Sequence, residues 1–122
     1  MPYIDGFVIA VPTAHKQKFI DHARQLDPLF IELGAIRVIE AWGDDVPDGK
    51  VTDFRRAVQA TAEETVAFAW VEWPDKATRD TAMKKMMEDP RMDPSHPGNP
   101  PMPFDGKRMI FGGFEQVLEV KG

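Results

Sequence analysis

Thr65-Val66-Ala67-Phe68-Ala69-Trp70-Val71-Glu72-Trp73 is the stretch on which the fold turns. Its β-branched and aromatic residues mark a strand. Strand side chains alternate between two faces, so Val66, Phe68, Trp70 and Glu72 share one face while Ala67, Ala69 and Val71 share the other. A strand with water on one face alternates apolar with polar residues. Here large apolar groups lie on one side and small ones on the other. Both faces are therefore expected to be covered, with helices close over the alanines and something else over the aromatics.

Upstream, Tyr3 to Val11 reads as another strand, ended by Pro12, and Thr13 is the expected N-cap of a helix. The stripe Phe19, Ala23, Leu26, Phe30 and Leu33 has helical spacing, and Pro28 imposes a kink or restart near Asp27. Gly34 is the expected closing residue. Ala35 to Trp42 reads as a strand, Gly43 to Asp53 as turns, and Phe54 to Ala60 as either a short helix or the outer half of a hairpin.

Downstream, Pro74 ends the deciding strand and Asp75 caps a helix to about Asp89, with Ala82, Met83, Met86 and Met87 as its buried stripe. Pro90 stops it, and the prolines from Pro90 to Pro103 exclude regular structure there. A last strand is expected from about Arg108 to Val120, with a bulge or bend at Gly112-Gly113. The order β-α-β-β-α-β is that of the ferredoxin-like fold. The class is thus α+β: one domain spanning residues 1–122 around a four-stranded antiparallel sheet.

Composition narrows the function. An apolar fraction of 43% supports a packed core and excludes disorder. The chain has no cysteine, which removes thiol nucleophiles, disulfides and cysteine-ligated metals and fits a cytoplasmic location. Neither a secretory leader nor a membrane span is legible. With a net charge of −5 and basic residues only in short pairs, no nucleic-acid partner is expected.

Two helices cover only one face of such a sheet. The simplest cover for the aromatic face is a second copy, sheet against sheet about a two-fold axis, giving a homodimer. In the alternative, residues 43–64 fold back as a lid within one chain.

Four segments carry a family resemblance: Tyr3 to Val8, Asp45 to Arg55, Lys85 to Met92 and Met102 to Ile110. In these the chain resembles the YbaA-like family, a bacterial domain of unknown function in the dimeric α/β-barrel superfamily. The resemblance implies two ferredoxin-like subunits whose sheets face each other to close a barrel. It implies no particular reaction, because relatives across that superfamily include oxygenases, isomerases and members with no known activity.

Candidate site residues follow from the strand pattern. Val38, Glu40 and Trp42 share one face of their strand, and Phe68, Trp70 and Glu72 share the aromatic face of theirs. In a suitable antiparallel register Glu40 and Glu72 meet in one apolar pocket, where one carboxyl is pushed up into a range useful for proton transfer. The alternative is that each sits in water at a strand end or pairs with Arg37, Arg55 or Arg56. Trp42, Phe68 and Trp70 are the expected apolar lining for a small-molecule ligand, with Asp53 and Arg108 as polar candidates at its rim. Asp5, in a strand that should be buried, is expected to pair with Lys107 or Arg108.

No metal site is expected. His15 and His22 lie seven apart on one helix, about 10 Å along its axis, too far for a shared ion. No cofactor motif is present, and Ser95 has no nucleophile elbow around it. Two readings remain: a small-molecule enzyme or binder using Glu40 or Glu72, and a non-catalytic dimeric module that binds a ligand or protein.

Overall fold

The computed structural model describes residues 1–122. Four strands, β1 (Tyr3–Pro12), β2 (Arg37–Trp42), β3 (Glu64–Trp73) and β4 (Ile110–Glu115), form one antiparallel sheet in the order β2-β3-β1-β4. The helices are α1 (Lys16–Leu26), α2 (Pro28–Glu32), the four-residue α3 (Phe54–Ala57) and α4 (Lys76–Glu88). This is the expected ferredoxin-like arrangement.

Pro28 interrupts the first helix as its missing N–H requires. α1 stops at Leu26, and α2 starts with the proline at its first position. Gly34 follows with φ of +113°, and a Cβ there would meet the Thr78 methyl at 2.7 Å, so only glycine fits. Asp75 caps α4 by accepting the Thr78 N–H at 2.7 Å. Thr13 caps nothing: a 3-10 turn over Thr13–His15 precedes α1, and the Thr13 hydroxyl bonds that of Thr65 instead.

On the helix-covered face, Tyr3, Ala35, Val71, Trp73 and Ala82 form one core cluster, and Ile9, Val11, Phe19 and Ala67 another. The alanines of β3 let the helices approach closely. Met86 is buried with Ala82, but Met87 points to water and is not part of the stripe.

The last strand is shorter than expected. Pairing of β1 with β4 runs without a break from Tyr3↔Glu115 to Val8↔Ile110, through both glycines. Gly112-Gly113 is therefore no bulge. A Cβ on Gly113 would lie 2.7 Å from the Tyr3 ring and 2.8 Å from Arg79 Nη2, so Gly113 is there for close packing. Residues 116–122 carry no regular structure.

The opposite face carries Ile4, Val8, Phe68, Trp70, Ile110 and Phe114, which line a hollow of about 580 Å³. Gly6 lies opposite Gly112 in its floor. Phe68 is 41% and Phe114 61% exposed. The segment from α3 covers only one end of this face: Val58 packs on Ala10 and Val66, and Phe54 sets its ring edge-on to Phe68. The lid, the alternative to a second copy, thus exists in part and leaves the larger end open.

Candidate functional site

Register decides which side chains can meet. Arg37 lies opposite Glu72, Ile39 opposite Trp70 and Ala41 opposite Phe68, all on the open face. Val38, Glu40 and Trp42 lie opposite Val71, Ala69 and Ala67 on the helix-covered face. Glu40 and Glu72 are therefore on opposite sides of the sheet, and the pocket expected to join them does not form. Trp42 is likewise separated from Phe68 and Trp70.

Glu72 forms the alternative ion pair. Arg37 Nε donates to its Oε2 at 2.5 Å and Trp70 Nε1 at 3.0 Å. Burial acts to raise this carboxyl, but the two donors overcome it and hold it below the ordinary value. Glu72 is thus an occupied acceptor, ion-paired with Arg37 at one end of a face whose middle is apolar.

Glu40 meets a different carboxylate. The break between α1 and α2 leaves Asp27 at the helix junction, in the same lining as Glu40 of β2. Loss of hydration raises both, and the neighbouring Asp27 carboxyl raises Glu40 further, to about 9. Glu40 is exposed at the edge of the sheet, so water reaches one side of the pair and moderates the shift. Its direction follows from two carboxyls buried in one lining.

This pair sits between two spaces. Outside lies a cleft of about 790 Å³ with Phe19, Ile20, Ile36 and Trp42 in its walls. Inside lies a smaller cavity of about 190 Å³ reaching His22, Phe104 and Met109. Both include Asp27 and Glu40 in their linings. Phe19 and Trp42 pack at 5.8 Å between ring centroids, and Lys16 Nζ lies 5.7 Å from the Trp42 ring. His22 is pulled down by burial and so favours its neutral form. It does not converge with the two carboxyls on a metal-sized site.

The other candidates hold the scaffold. Asp53 caps α3 through the Arg56 N–H at 2.7 Å and also accepts from the Gly49 N–H. Arg108 forks onto Glu64 with two bonds of 2.7 Å, reaches Asp105 at 3.0 Å and donates to the Gln59 carbonyl. Asp5 is bound by Arg79 of α4 and by Trp73 Nε1 at 2.9 Å, with neither Lys107 nor Arg108 involved. Arg79 is 74 residues from Asp5 and lies on a helix, not on an adjoining strand, so neither spacing nor strand order signals the pair. The sequence signal at Asp27 is weak, an acid beside a proline break, and is the same as that of an ordinary helix boundary.

The fold defines a ferredoxin-like α+β protein with one sheet face uncovered. A crystallised dimeric ferredoxin-like protein from an uncultured marine organism is similar over 98% of this chain and 100% of its own, with a TM-score of 0.60 at 12% identity. In sequence, residues 2–106 match the family described as "Protein of unknown function (DUF1428)". The chain belongs to that family. The uncharacterized protein YbaA of Escherichia coli K12 is 54% identical over 119 residues, covering 98% of this chain and 99% of YbaA. The YbaA of Shigella flexneri is similar to the same extent. No helix is long and apolar enough to cross a membrane.

Proposed function

We propose that this protein is a cytoplasmic homodimer that binds a small apolar or aromatic molecule in the cleft between α1, α2 and β2, and moves a proton on it through Asp27 and Glu40. The observation carrying this reading is the pair of carboxyls, Asp27 and Glu40, in the lining of one largely apolar cleft, where loss of hydration pushes both above the ordinary carboxylate range. With one proton between them, one carboxyl donates to a ligand oxygen while the other accepts a proton from carbon. That division of labour suits enolisation of an aryl carbonyl compound.

The dimer is supported by the open face, whose exposed aromatics form a continuous apolar patch. The similar crystallised protein is dimeric. Because Glu72 is already engaged by Arg37 and Trp70, this face reads as packing surface, and the proton chemistry belongs to the other side of the sheet.

Deuterium wash-in tests the reading. Aryl ketones in D2O are expected to exchange their α-hydrogens faster with the protein than in buffer, followed by NMR. Asp27→Asn and Glu40→Gln should each abolish the acceleration and leave circular dichroism unchanged. Binding without exchange would assign the non-catalytic module instead. Light scattering should give twice the chain mass, and Phe114→Asp should give a monomer.

A further inference from the structure

The inner cavity beside Asp27 and Glu40 has a second end. It lies between the helices and the sheet, and apart from those two carboxyls and His22 its walls are apolar. At one end it shares Phe19, Ala23, Val38 and the carboxyl pair with the outer cleft. At the other it shares Phe7, Phe30, Met92 and Met109 with a further hollow of about 710 Å³ between α4 and β4. The two outer spaces have no lining residue in common, so the inner cavity is what joins them. The row runs under the helices from the β2 edge of the sheet to the β4 edge.

The far hollow has its own chemistry. Met83, Met86 and Met87 of α4 join Met92 and Met109 there, five of the chain's seven methionines. Thioether side chains are flexible and polarisable, and they mould to apolar groups of changing shape. The acids in its lining are already engaged: Asp5 by Arg79, Asp89 by Arg91 and Asp93 by Ser95. Nothing in this hollow calls for a charged ligand end. A molecule lying along the row therefore sets its polar end beside Asp27 and Glu40 and its apolar end among the methionines.

The middle space sets the shape of that molecule. At about 190 Å³ it is far smaller than the spaces on either side. An apolar cavity of about 150 Å³ takes up one benzene. A single slender group fits here, and a branched or fused one does not. The polar end is constrained by charge. A carboxylate would be repelled by two carboxyls, whereas a neutral carbonyl oxygen accepts a hydrogen bond from whichever of them is protonated.

We propose that these three spaces form one passage for a neutral carbonyl compound on an unbranched alkyl chain. Its carbonyl lies beside Asp27 and Glu40, its chain threads the inner cavity, and its end rests among the methionines. This names the substrate class for the site of the proposed function, and the placing of the carbonyl rests on that reading.

The test uses the full chain with carbon-13 methyl-labelled methionine and straight-chain methyl ketones from butanone to undecanone. Kd should fall about fourfold for each methylene added, as each leaves water. The Met92 and Met109 signals should shift with shorter chains, those of Met83 and Met86 only with longer ones, and those of Met1 and Met102 with none. Met109→Trp plugs the junction and should weaken undecanone at least tenfold more than butanone. Affinity that is flat along the series, or methionine signals that never move, would overturn the passage. Exchange of the α-hydrogens of butanone in that case would leave proton transfer standing. Length-dependent shifts without any exchange would uphold the passage and overturn proton transfer.

Discussion

Asp27 closes α1, Glu40 stands midway along β2, and their two carboxyls share the lining of one cleft, where burial raises each and the neighbouring Asp27 keeps Glu40 from ionising freely. Both folded-state values lie above the unfolded ones, so the folded chain holds its proton more tightly. The stabilisation is complete below about pH 4 and is lost as pH rises toward about 9. Glu40→Gln keeps a donor and removes the charge. Its expected effect at pH 8 is a gain on the order of 1 kcal/mol, discounted because water reaches Glu40. Melting curves from pH 5 to 9 should be flatter for the variant, and parallel curves would contradict the raised pair.

Asp5 is 3% exposed and takes bonds from Arg79 and Trp73. Removing one partner of a buried pair strands the other charge, at a cost of about 3–5 kcal/mol. Arg79→Met should therefore lower Tm by roughly 10–20 °C. Adding Asp5→Asn should restore part of the loss, because the buried charge has gone. A double variant no better than Arg79→Met would show that the loss lies in packing on Tyr3, whose ring is 5.2 Å from the guanidinium.

The adjacent glycines of β4 should respond unequally to alanine. At Gly112 a Cβ meets only the Phe114 ring, at 3.4 Å. At Gly113 it presses on Tyr3 and on the guanidinium that holds Asp5. Gly112→Ala should cost less than about 1 kcal/mol and Gly113→Ala more than about 2 kcal/mol in urea unfolding. Equal costs would mean that strand propensity, not crowding, selects both.

The Arg108 fork holds the Glu64 carboxyl well down, at about 2. Because the folded-state value is depressed, this stabilisation is present above about pH 4.5 and is lost as pH falls toward 2. The full swing is about 3 kcal/mol. Glu64→Gln should weaken the protein at pH 7 and flatten its acid limb. An unchanged acid midpoint would place the sensitivity elsewhere.

The element order was legible because β3 states both of its environments, alanines toward the helices and aromatics away. The break at Pro28 and the cap at Asp75 were legible for local reasons, a missing N–H and a short acceptor. What was not legible is the pairing of β2, because a strand pattern fixes which residues share a face and leaves open which face of the neighbour they join. Arg37 held the cue. Setting it opposite Glu72 satisfies both charges and sends Glu40 toward the helices. Asp27 became visible only once the broken helix had been laid over that strand.

The parity of β2 makes chain length a lever on chemistry. Between Gly34 and Arg37 only two residues intervene, so losing one of them would turn the whole strand over relative to β3. Glu40 and Trp42 would move into the hollow beside Phe68 and Trp70, and Arg37 would leave Glu72 for the helix side. A descendant of this chain could thus exchange an acid in one compartment for an acid in the other through a single codon deletion, with every side chain of the strand retained.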